Sequence, residues 1–163
     1  MTHYTRTDSP LGELLLVGEG DTLVSLSLPG QRTAPAVRPD WVRDDEAFTE
    51  VVRQLSAYFA GRLTRFELDL APRGTRFQER VWRALDEIPY GTTTTYGELA
   101  ARLEVPRAEI RAVGAAIGAN PLLIVRPCHR VIGADGSMRG YAGGVERKVR
   151  LLTHEGALQQ MLV

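Results

Sequence analysis

The first part of the chain alternates between apolar and polar positions, interrupted by short clusters of turn-forming residues. Alternation with a period of two is typical of strands that bury one face. Turn signals stand at Ser9–Gly12 and at Gly18–Asp21. The pattern therefore predicts three short strands in an antiparallel meander: Tyr4–Thr7, Glu13–Val17 and Thr22–Leu28.

The spacing of apolar residues becomes helical after a proline-containing loop. Asp44–Glu46 suits the start of a helix, and Gly61 suits its end. The apolar stripe between them consists of Phe48, Val51, Val52, Leu55, Tyr58 and Phe59. Alternation returns in Arg65–Leu70, which predicts one more strand of the same sheet. This part of the chain should form an α+β module, and its sequence shows no recognisable chemistry.

The second half of the chain has a mainly helical pattern. Thr75 suits the N-cap of a helix that runs to about Ile88. A second short helix follows Thr95, and a third covers Arg107 to about Gly118, an arrangement typical of a helix-turn-helix. The third helix has Ala and Gly along one face, so either a DNA duplex or a neighbouring helix could approach closely. A final helix is predicted to begin over Val145–Leu152 and to end at His154–Gly156.

The only cysteine stands beside a histidine inside an apolar run. Leu122–Ile132 has the composition of a short buried strand, and Pro127 should bend it. A bend is needed because adjacent side chains of a regular strand point to opposite faces. The alternative interpretation is structural: a lone cysteine such as Cys128 is usually a small core residue, and a neighbouring histidine such as His129 usually has no role in its chemistry.

Composition narrows the class of protein. With 44% hydrophobic residues, a chain of 163 residues can build the core of one domain or of two small ones. No stretch approaches the roughly 18 apolar residues of a membrane span, and the start lacks a signal-sequence pattern, so we expect a cytoplasmic protein. One cysteine excludes an internal disulfide, and the scattered histidines give no zinc-ligand spacing.

The charges are unevenly distributed although the formal net charge is zero. Residues 1–72 carry 7 basic and 11 acidic side chains, whereas residues 73–163 carry 13 basic and 9 acidic ones. Nineteen of the 20 basic residues are Arg, whose guanidinium can fork onto phosphate. The distribution favours a nucleic-acid partner for the second half, although a genome rich in G and C would give the same arginine bias.

Five sequence elements stand in the order and spacing of a known family: Arg111–Gly114, Asn120–Pro121, Pro127–Val131, Gly140–Tyr141 and His154–Gly156. In these elements the chain resembles the O6-alkylguanine-DNA alkyltransferases, strongly over residues 73–156 and weakly before them. The resemblance implies an α+β fold. An antiparallel-sheet, ribonuclease H-like module (residues 1–72) would precede a winged helix-turn-helix domain (residues 73–163) that carries the active site.

The resemblance implies direct reversal of DNA damage. Cys128 would accept the alkyl group of O6-alkylguanine, with O4-alkylthymine as a further candidate lesion. A thiol with a pKa of about 8.5 is mostly protonated at neutral pH, so a base must remove its proton before it can attack. The family's motif gives that role to His129 through a water, with Glu155 orienting the imidazole. Asn120 matches the hinge residue that positions the thiolate, although a helix C-cap is its alternative role. The thioether product is not hydrolysed, so each molecule would act once, without a cofactor.

The same resemblance implies the DNA contacts. The damaged base must leave the stack. Arg111 matches the finger that fills the gap, and Tyr96 matches the tyrosine that rotates the flanking phosphate and protonates the departing guanine. The third helix would lie in the minor groove, with small contact residues at Ala112, Gly114 and Ala115. We expect a monomer and leave cooperative binding along DNA open.

The family pattern also predicts the pocket for the alkylated base, which comprises Ile117, Val131, Arg139, Tyr141 and Ala142. Arg126 and Arg139 depart from that pattern, and both could line the pocket mouth. There Arg139 would either narrow the pocket against bulky adducts or reach a phosphate. Ala142 replaces a frequent serine, and the loss should be mild because the family's contact there is a backbone N–H.

Three other function classes stay open from the sequence. A damage sensor of the alkyltransferase-like kind has the same fold but lacks the cysteine, so Cys128 argues against it. A multiple-turnover hydrolase could use Cys128, His129 and Glu155, although an adjacent Cys-His pair is unusual for such enzymes. A winged-helix transcription factor would not need a thiol behind its helix-turn-helix.

Overall fold

The computed structural model describes residues 1–71, 73–138 and 140–158. The first three strands form the predicted antiparallel meander: β1 (Thr2–Thr7), β2 (Leu14–Glu19) and β3 (Thr22–Ser27). Strand β2 lies between the other two, and an irregularity at Val17/Gly18 shifts its register with β3. All but the last residue of β2 are buried, because the strand packs on both faces.

A short fourth strand, absent from the sequence prediction, completes this sheet. Strand β4 (Val42–Arg43) pairs in parallel with His3 and Tyr4 of β1, so the strand order is β3-β2-β1-β4. Both of its residues are exposed, and two residues cannot show an alternating pattern. The meander is therefore antiparallel, as predicted, with one short parallel strand at its edge.

The predicted strand over Arg65–Leu70 is wrong. Within the described residues, this segment makes a single bridge to the sheet, between Leu23 and Leu70. The side chain of Gln54 takes the place of a neighbouring strand, since it donates to the Glu67 carbonyl at 3.0 Å and accepts from the Glu67 N–H at 2.9 Å. Local alternation cannot reveal a side chain that satisfies the backbone in this way.

Helix α1 (Thr49–Phe59) follows a turn of 3-10 helix at Glu46–Phe48 and buries most of its predicted stripe. Gly61, with a φ of 79°, lies just beyond its end, as predicted. Helix α2 (Arg76–Leu85) starts in a capping box in which the Thr75 hydroxyl accepts from the Gln78 N–H.

The helix-turn-helix consists of α3 (Tyr96–Arg102) and α4 (Ile110–Gly118), with a turn of 3-10 helix at Arg107–Glu109 before α4. Thr95 caps α3 through the N–H of Glu98. Helix α2 packs on α4, and the Trp82 indole N–H donates to the carbonyl of Ala116 at 2.8 Å. Helix α5 (Val145–His154) follows as predicted.

The chain before the cysteine is a series of turns, so the predicted strand over Leu122–Ile132 is wrong for most of its length. Ile124 has a φ of 69°, and the Val125 N–H donates to the Leu123 carbonyl at 2.7 Å across it. A positive φ is strained for a β-branched residue. Pro127 does bend the chain, because the Cys128 N–H donates back to the Arg126 carbonyl at 2.8 Å.

Cys128–Arg130 then forms one turn of 3-10 helix, and only Val131–Ile132 is a strand. This strand, β6, pairs in parallel with β5 (Thr94–Thr95), which directly precedes α3. The residues around the cysteine are therefore joined by backbone hydrogen bonds to the start of the helix-turn-helix.

The two halves of the chain share one hydrophobic core. The edge of β3 contacts the segment that follows α4: the Leu26 N–H donates to the Pro121 carbonyl at 2.9 Å, and the Leu123 N–H donates to the Leu26 carbonyl at 3.2 Å. The N-terminal sheet therefore supports the turns that lead to Cys128. No helix among the described residues is both long and apolar enough to cross a membrane.

Candidate active site

Four hydrogen-bond donors converge on the carboxylate of Glu155, which lies just after α5 and is 5% exposed. Its oxygens accept from Tyr58 Oη at 2.6 Å, His129 Nε2 at 2.8 Å, Arg130 Nε at 2.8 Å and Arg130 Nη2 at 3.0 Å. Burial alone would raise the pKa of Glu155, but the hydrogen bonds and charges of His129 and Arg130 outweigh it and lower the pKa to about 2. The carboxylate is therefore ionised at neutral pH.

This carboxylate fixes the tautomer of His129. Burial lowers the pKa of His129, while the hydrogen bond and charge of Glu155 act in the opposite direction. The imidazole is consequently neutral at pH 7 and has one N–H, which must be on Nε2 because the carboxylate oxygen only accepts. Nδ1 is left with a lone pair and makes no hydrogen bond to the described part of the protein. A neutral imidazole of this form can accept a proton at Nδ1.

The thiol of Cys128 is 4% exposed. Burial raises its pKa to about 11, although a hydrogen bond with Asn120 and the positive charges of Lys148 and Arg126 act to lower it. The thiol of the free protein is therefore protonated at neutral pH, so reaction as a thiolate requires a base.

Asn120 joins α4 to the turns before the cysteine. Its Oδ1 accepts from the Leu122 N–H at 3.0 Å, and its Nδ2 approaches the carbonyls of Leu122 at 3.3 Å and Arg126 at 3.5 Å. Ala119 rather than Asn120 is the C-cap of α4, and the Asn120 side chain contacts the active-site segment. The Asn120 side chain therefore links the end of α4 to the active-site segment, and the C-cap position belongs to the residue before it.

Three of the expected pocket residues belong to the same hydrophobic core as Cys128. Val131 and Ile117 are buried with Cys128, and Tyr141 packs against this cluster. The rings of Tyr141 and His129 meet edge to face with centroids 6.4 Å apart. Ala142 also packs against the core, whereas Arg139 lies outside the described residues.

The expected DNA-contact residues lie on a separate surface. Tyr96, Arg111 and Gly114 line a cleft of about 480 Å³ between α3, α4 and the turn after β6. Arg111, Ala112 and Ala115 are exposed, and the ring of Tyr96 lies 4.0 Å from where a Cβ on Gly114 would stand. Of the described residues, those that line the cleft do not include Cys128, so the two sets of predicted site residues face different spaces.

Three further side chains contact the site residues and were not predicted. Arg130, which the sequence indicated only as part of the cysteine motif, supplies the charge that compensates Glu155 and also donates to the Ile88 carbonyl at 2.6 Å. Tyr58 was assigned to an apolar stripe, and nothing in the local sequence shows that its hydroxyl meets a residue 97 positions away.

Lys148 is the third of these side chains. It is the only lysine in the chain, and this rarity is the one sequence feature that could have drawn attention to it. It is 1% exposed and donates to the carbonyls of Val131 at 2.6 Å and Gly140 at 3.2 Å. Burial lowers the pKa of Lys148 to about 8, and the neighbouring Cys128 acts to raise it. Among the described residues, no group of three or more His, Cys, Asp and Glu side chains is placed to hold a metal ion.

Comparison with known proteins identifies both halves of the chain. Residues 2–72 match the ribonuclease-like domain, and residues 76–157 the DNA binding domain, of the 6-O-methylguanine DNA methyltransferase models. The fold is thus a ribonuclease-like α+β domain followed by a helical DNA-binding domain. The chain belongs to the O6-methylguanine DNA methyltransferase family.

The names of individual similar proteins are consistent with this family. A methylated-DNA--protein-cysteine methyltransferase of Mycobacterium tuberculosis is 52% identical over 155 residues, which cover 95% of this chain and 93% of the relative. That of Methanosarcina acetivorans is 48% identical over 95% of this chain and 99% of the relative. The crystal structure of Mycobacterium tuberculosis OGT in complex with DNA has a TM-score of 0.89 and 50% identity, and covers 95% of this chain and 93% of that chain.

Replacing Glu155 by Gln should lower the free energy of unfolding by about 3 kcal/mol near pH 7, because it leaves the buried Arg130 without its counter-charge. The carboxylate has a folded-state pKa of about 2 against a usual value of 4.5, so its stabilisation is complete above 4.5 and disappears as the pH falls towards 2. The stability difference between wild type and variant, measured by urea unfolding, should therefore shrink as the pH is lowered.

The exposed Glu104→Gln variant is the matched control, and its unfolding should follow that of the wild type. A stability difference for Glu155→Gln that stays constant down to about pH 3 would show that the carboxylate does not carry this stabilisation.

Proposed function

We propose that this protein repairs DNA by transferring the alkyl group of O6-alkylguanine to Sγ of Cys128. The observation that carries the proposal is the buried series Cys128, His129 and Glu155, in which the only thiol of the chain stands beside a neutral imidazole oriented by an ionised carboxylate. Its relatives are named methylated-DNA--protein-cysteine methyltransferases, and that name describes the same transfer to a cysteine.

In this proposal His129 is the general base. Its Nδ1 lone pair accepts the thiol proton through a bridging water, and Glu155 stabilises the imidazolium that forms. The resulting thiolate attacks the alkyl carbon, so a carbon–sulfur bond forms as the carbon–oxygen bond breaks. The electron pair of the broken bond stays on guanine, which takes a proton from the Tyr96 hydroxyl. The proposed transfer is a substitution at carbon and needs neither an oxidant nor a cofactor.

The high pKa of the thiol fits this mechanism. With a pKa of about 11, Cys128 is almost entirely neutral in the free protein, and burial keeps it away from other electrophiles. Asn120 and Lys148, which favour the thiolate, are already in place when a base enters the pocket. The product is a thioether, for which the site offers no hydrolytic chemistry, so each molecule reacts once.

The DNA contacts in this proposal come from the cleft beside α4. Arg111 enters the base stack when the damaged nucleotide is flipped out, and Tyr96 rotates the flanking phosphate. The exposed small residues Ala112 and Ala115, with Gly114, allow α4 to lie close to the minor groove floor. O4-alkylthymine is a further candidate lesion, and we infer a monomer acting in the cytoplasm.

The flipped base then enters the pocket around the thiol. Ile117, Val131 and Tyr141 form its apolar walls, and the backbone at Ala142 offers an N–H to the guanine oxygen. Arg139, which departs from the family pattern, would limit the size of the alkyl group at the pocket mouth. These assignments define which lesions fit, whereas the chemistry depends on Cys128.

The proposal is tested with excess duplex DNA carrying radiolabelled O6-methylguanine. Label should move to the protein and saturate at about one methyl group per molecule, located on Cys128 by peptide mass spectrometry. Cys128→Ser should bind the duplex normally and acquire no label, because a hydroxyl is a far weaker nucleophile. Continued turnover beyond one methyl per protein would indicate a hydrolase, and DNA binding without label on the wild type would indicate a damage sensor or a transcription factor.

Arg111→Ala should slow repair of duplex DNA by about 100-fold, while reaction with free O6-benzylguanine stays within about twofold of wild type. The free base needs no flipping, so only the duplex reaction depends on an inserted side chain. Single-turnover rates with the two substrates provide the measurement. Arg150→Ala, an exposed arginine on α5, is the charge-matched control. Equal losses on both substrates would contradict insertion of Arg111.

A further inference from the structure

Arg126 does not occupy the pocket mouth that the sequence suggested. Its side chain is 4% exposed and lies over the ring of Trp82, with the guanidinium carbon 5.7 Å from the ring centroid. An arginine is seldom buried to this degree without a partner that compensates its charge. The burial of this charged side chain therefore has to be explained by its contacts.

The partner of the guanidinium is Asp86, the C-cap of α2. Arg126 Nε lies 3.1 Å from Oδ1, and Nη2 lies 3.4 Å from Oδ2, so the two side chains meet fork to fork. This geometry fixes the direction of the arginine as well as its distance. Asp86 is 42% exposed, so the desolvation penalty of the pair falls mainly on Arg126.

The backbone of Arg126 is part of the turn that carries the nucleophile. Its carbonyl accepts from the Cys128 N–H at 2.8 Å and lies 3.5 Å from Asn120 Nδ2. Its own N–H donates to the Leu122 carbonyl at 3.0 Å. A movement of Arg126 relative to α2 would therefore move Cys128 directly.

Trp82 extends this set of contacts to the helix-turn-helix. Its indole N–H donates to the Ala116 carbonyl of α4 at 2.8 Å, while its ring faces the Arg126 guanidinium. The side chain is 1% exposed and so has little freedom to change rotamer. A continuous series of contacts thus runs from α4 through Trp82 and Arg126 to the backbone of Cys128.

We propose that Arg126 is a positioning residue whose fork onto Asp86, together with its contact to Trp82, fixes Cys128 relative to the recognition helix α4. The proposal rests on the proposed function, because the thiol must stand where a base flipped by α4 arrives. It adds a second tether to the one that Asn120 provides. Placement matters because a displacement of about 1 Å can cost about 100-fold in rate.

An electrostatic role for Arg126 can be separated from a positioning role. Besides burial, the pKa of the Cys128 thiol responds to the Asn120 side chain, the positive charge of Lys148, a backbone hydrogen bond and the positive charge of Arg126. The charge of a Cys128 thiolate also acts to raise the pKa of the Tyr141 hydroxyl. Asp86→Asn removes a negative charge, so electrostatics alone would leave the thiolate unchanged or favour it. A slower reaction of this variant would therefore be due to geometry.

The experiment compares Asp86→Asn, Arg126→Lys and the matched control Glu87→Gln, which alters the neighbouring exposed carboxylate. Single-turnover methyl transfer from duplex DNA should be about tenfold slower in the first two variants and unchanged in the control. Arg126→Lys keeps the charge, so its thiol pKa, followed by thiolate absorbance of the single cysteine, should stay close to wild type. A double variant of both positions should be no slower than either single one.

Hydrogen exchange gives a readout that does not depend on alkyl transfer. Amides of residues 122–130 should exchange faster in Asp86→Asn and Arg126→Lys than in wild type or Glu87→Gln, because the turn has lost its tether. Unchanged exchange and wild-type transfer rates in both variants, with only a lower melting temperature, would overturn the positioning role. Absence of methyl transfer by the wild type would instead refute the proposed function and leave the exchange result to decide the tether.

Discussion

The buried carboxylate of Glu155 is the constraint on which the site depends. An ionised group removed from water must be compensated, and here a hydroxyl from α1, an imidazole and a guanidinium from the cysteine motif supply the hydrogen bonds. These donors come from the N-terminal module and the turn after Pro127, and the carboxylate that accepts from them lies at the end of α5. Satisfying one charge therefore brings together three distant parts of the chain and gives the N-terminal module a role in the active site.

The same burial sets the protonation states of the site. Removal from water raises the pKa of Cys128 and lowers the pKa of His129, so both are neutral at rest. Glu155 alone keeps its charge, because Arg130 remains its positive partner when His129 is neutral. The site therefore holds no reactive thiolate at rest, and the proposed proton transfer would begin from two neutral groups.

Much of this arrangement was predictable from local sequence, and the remainder depended on distant contacts. The meander, the Thr75 cap and the helix-turn-helix follow from patterns within about ten residues, and the motif around Cys128 follows from spacing. The failed strand at Arg65–Leu70 depended on Gln54, which replaces a strand partner. Tyr58 and Arg126 are defined by partners far along the chain, so their apolar or charged character gave no indication of where they would lie.

The tautomer of His129 tests the account most directly, because every step of the chemistry depends on it. Nitrogen chemical shifts of the imidazole, measured by NMR on the 15N-labelled protein near pH 7, distinguish a bonded proton from a lone pair at each nitrogen. The account predicts a neutral ring protonated at Nε2 and unprotonated at Nδ1. A charged imidazolium, or a proton on Nδ1, would contradict it, since His129 could then not accept the thiol proton.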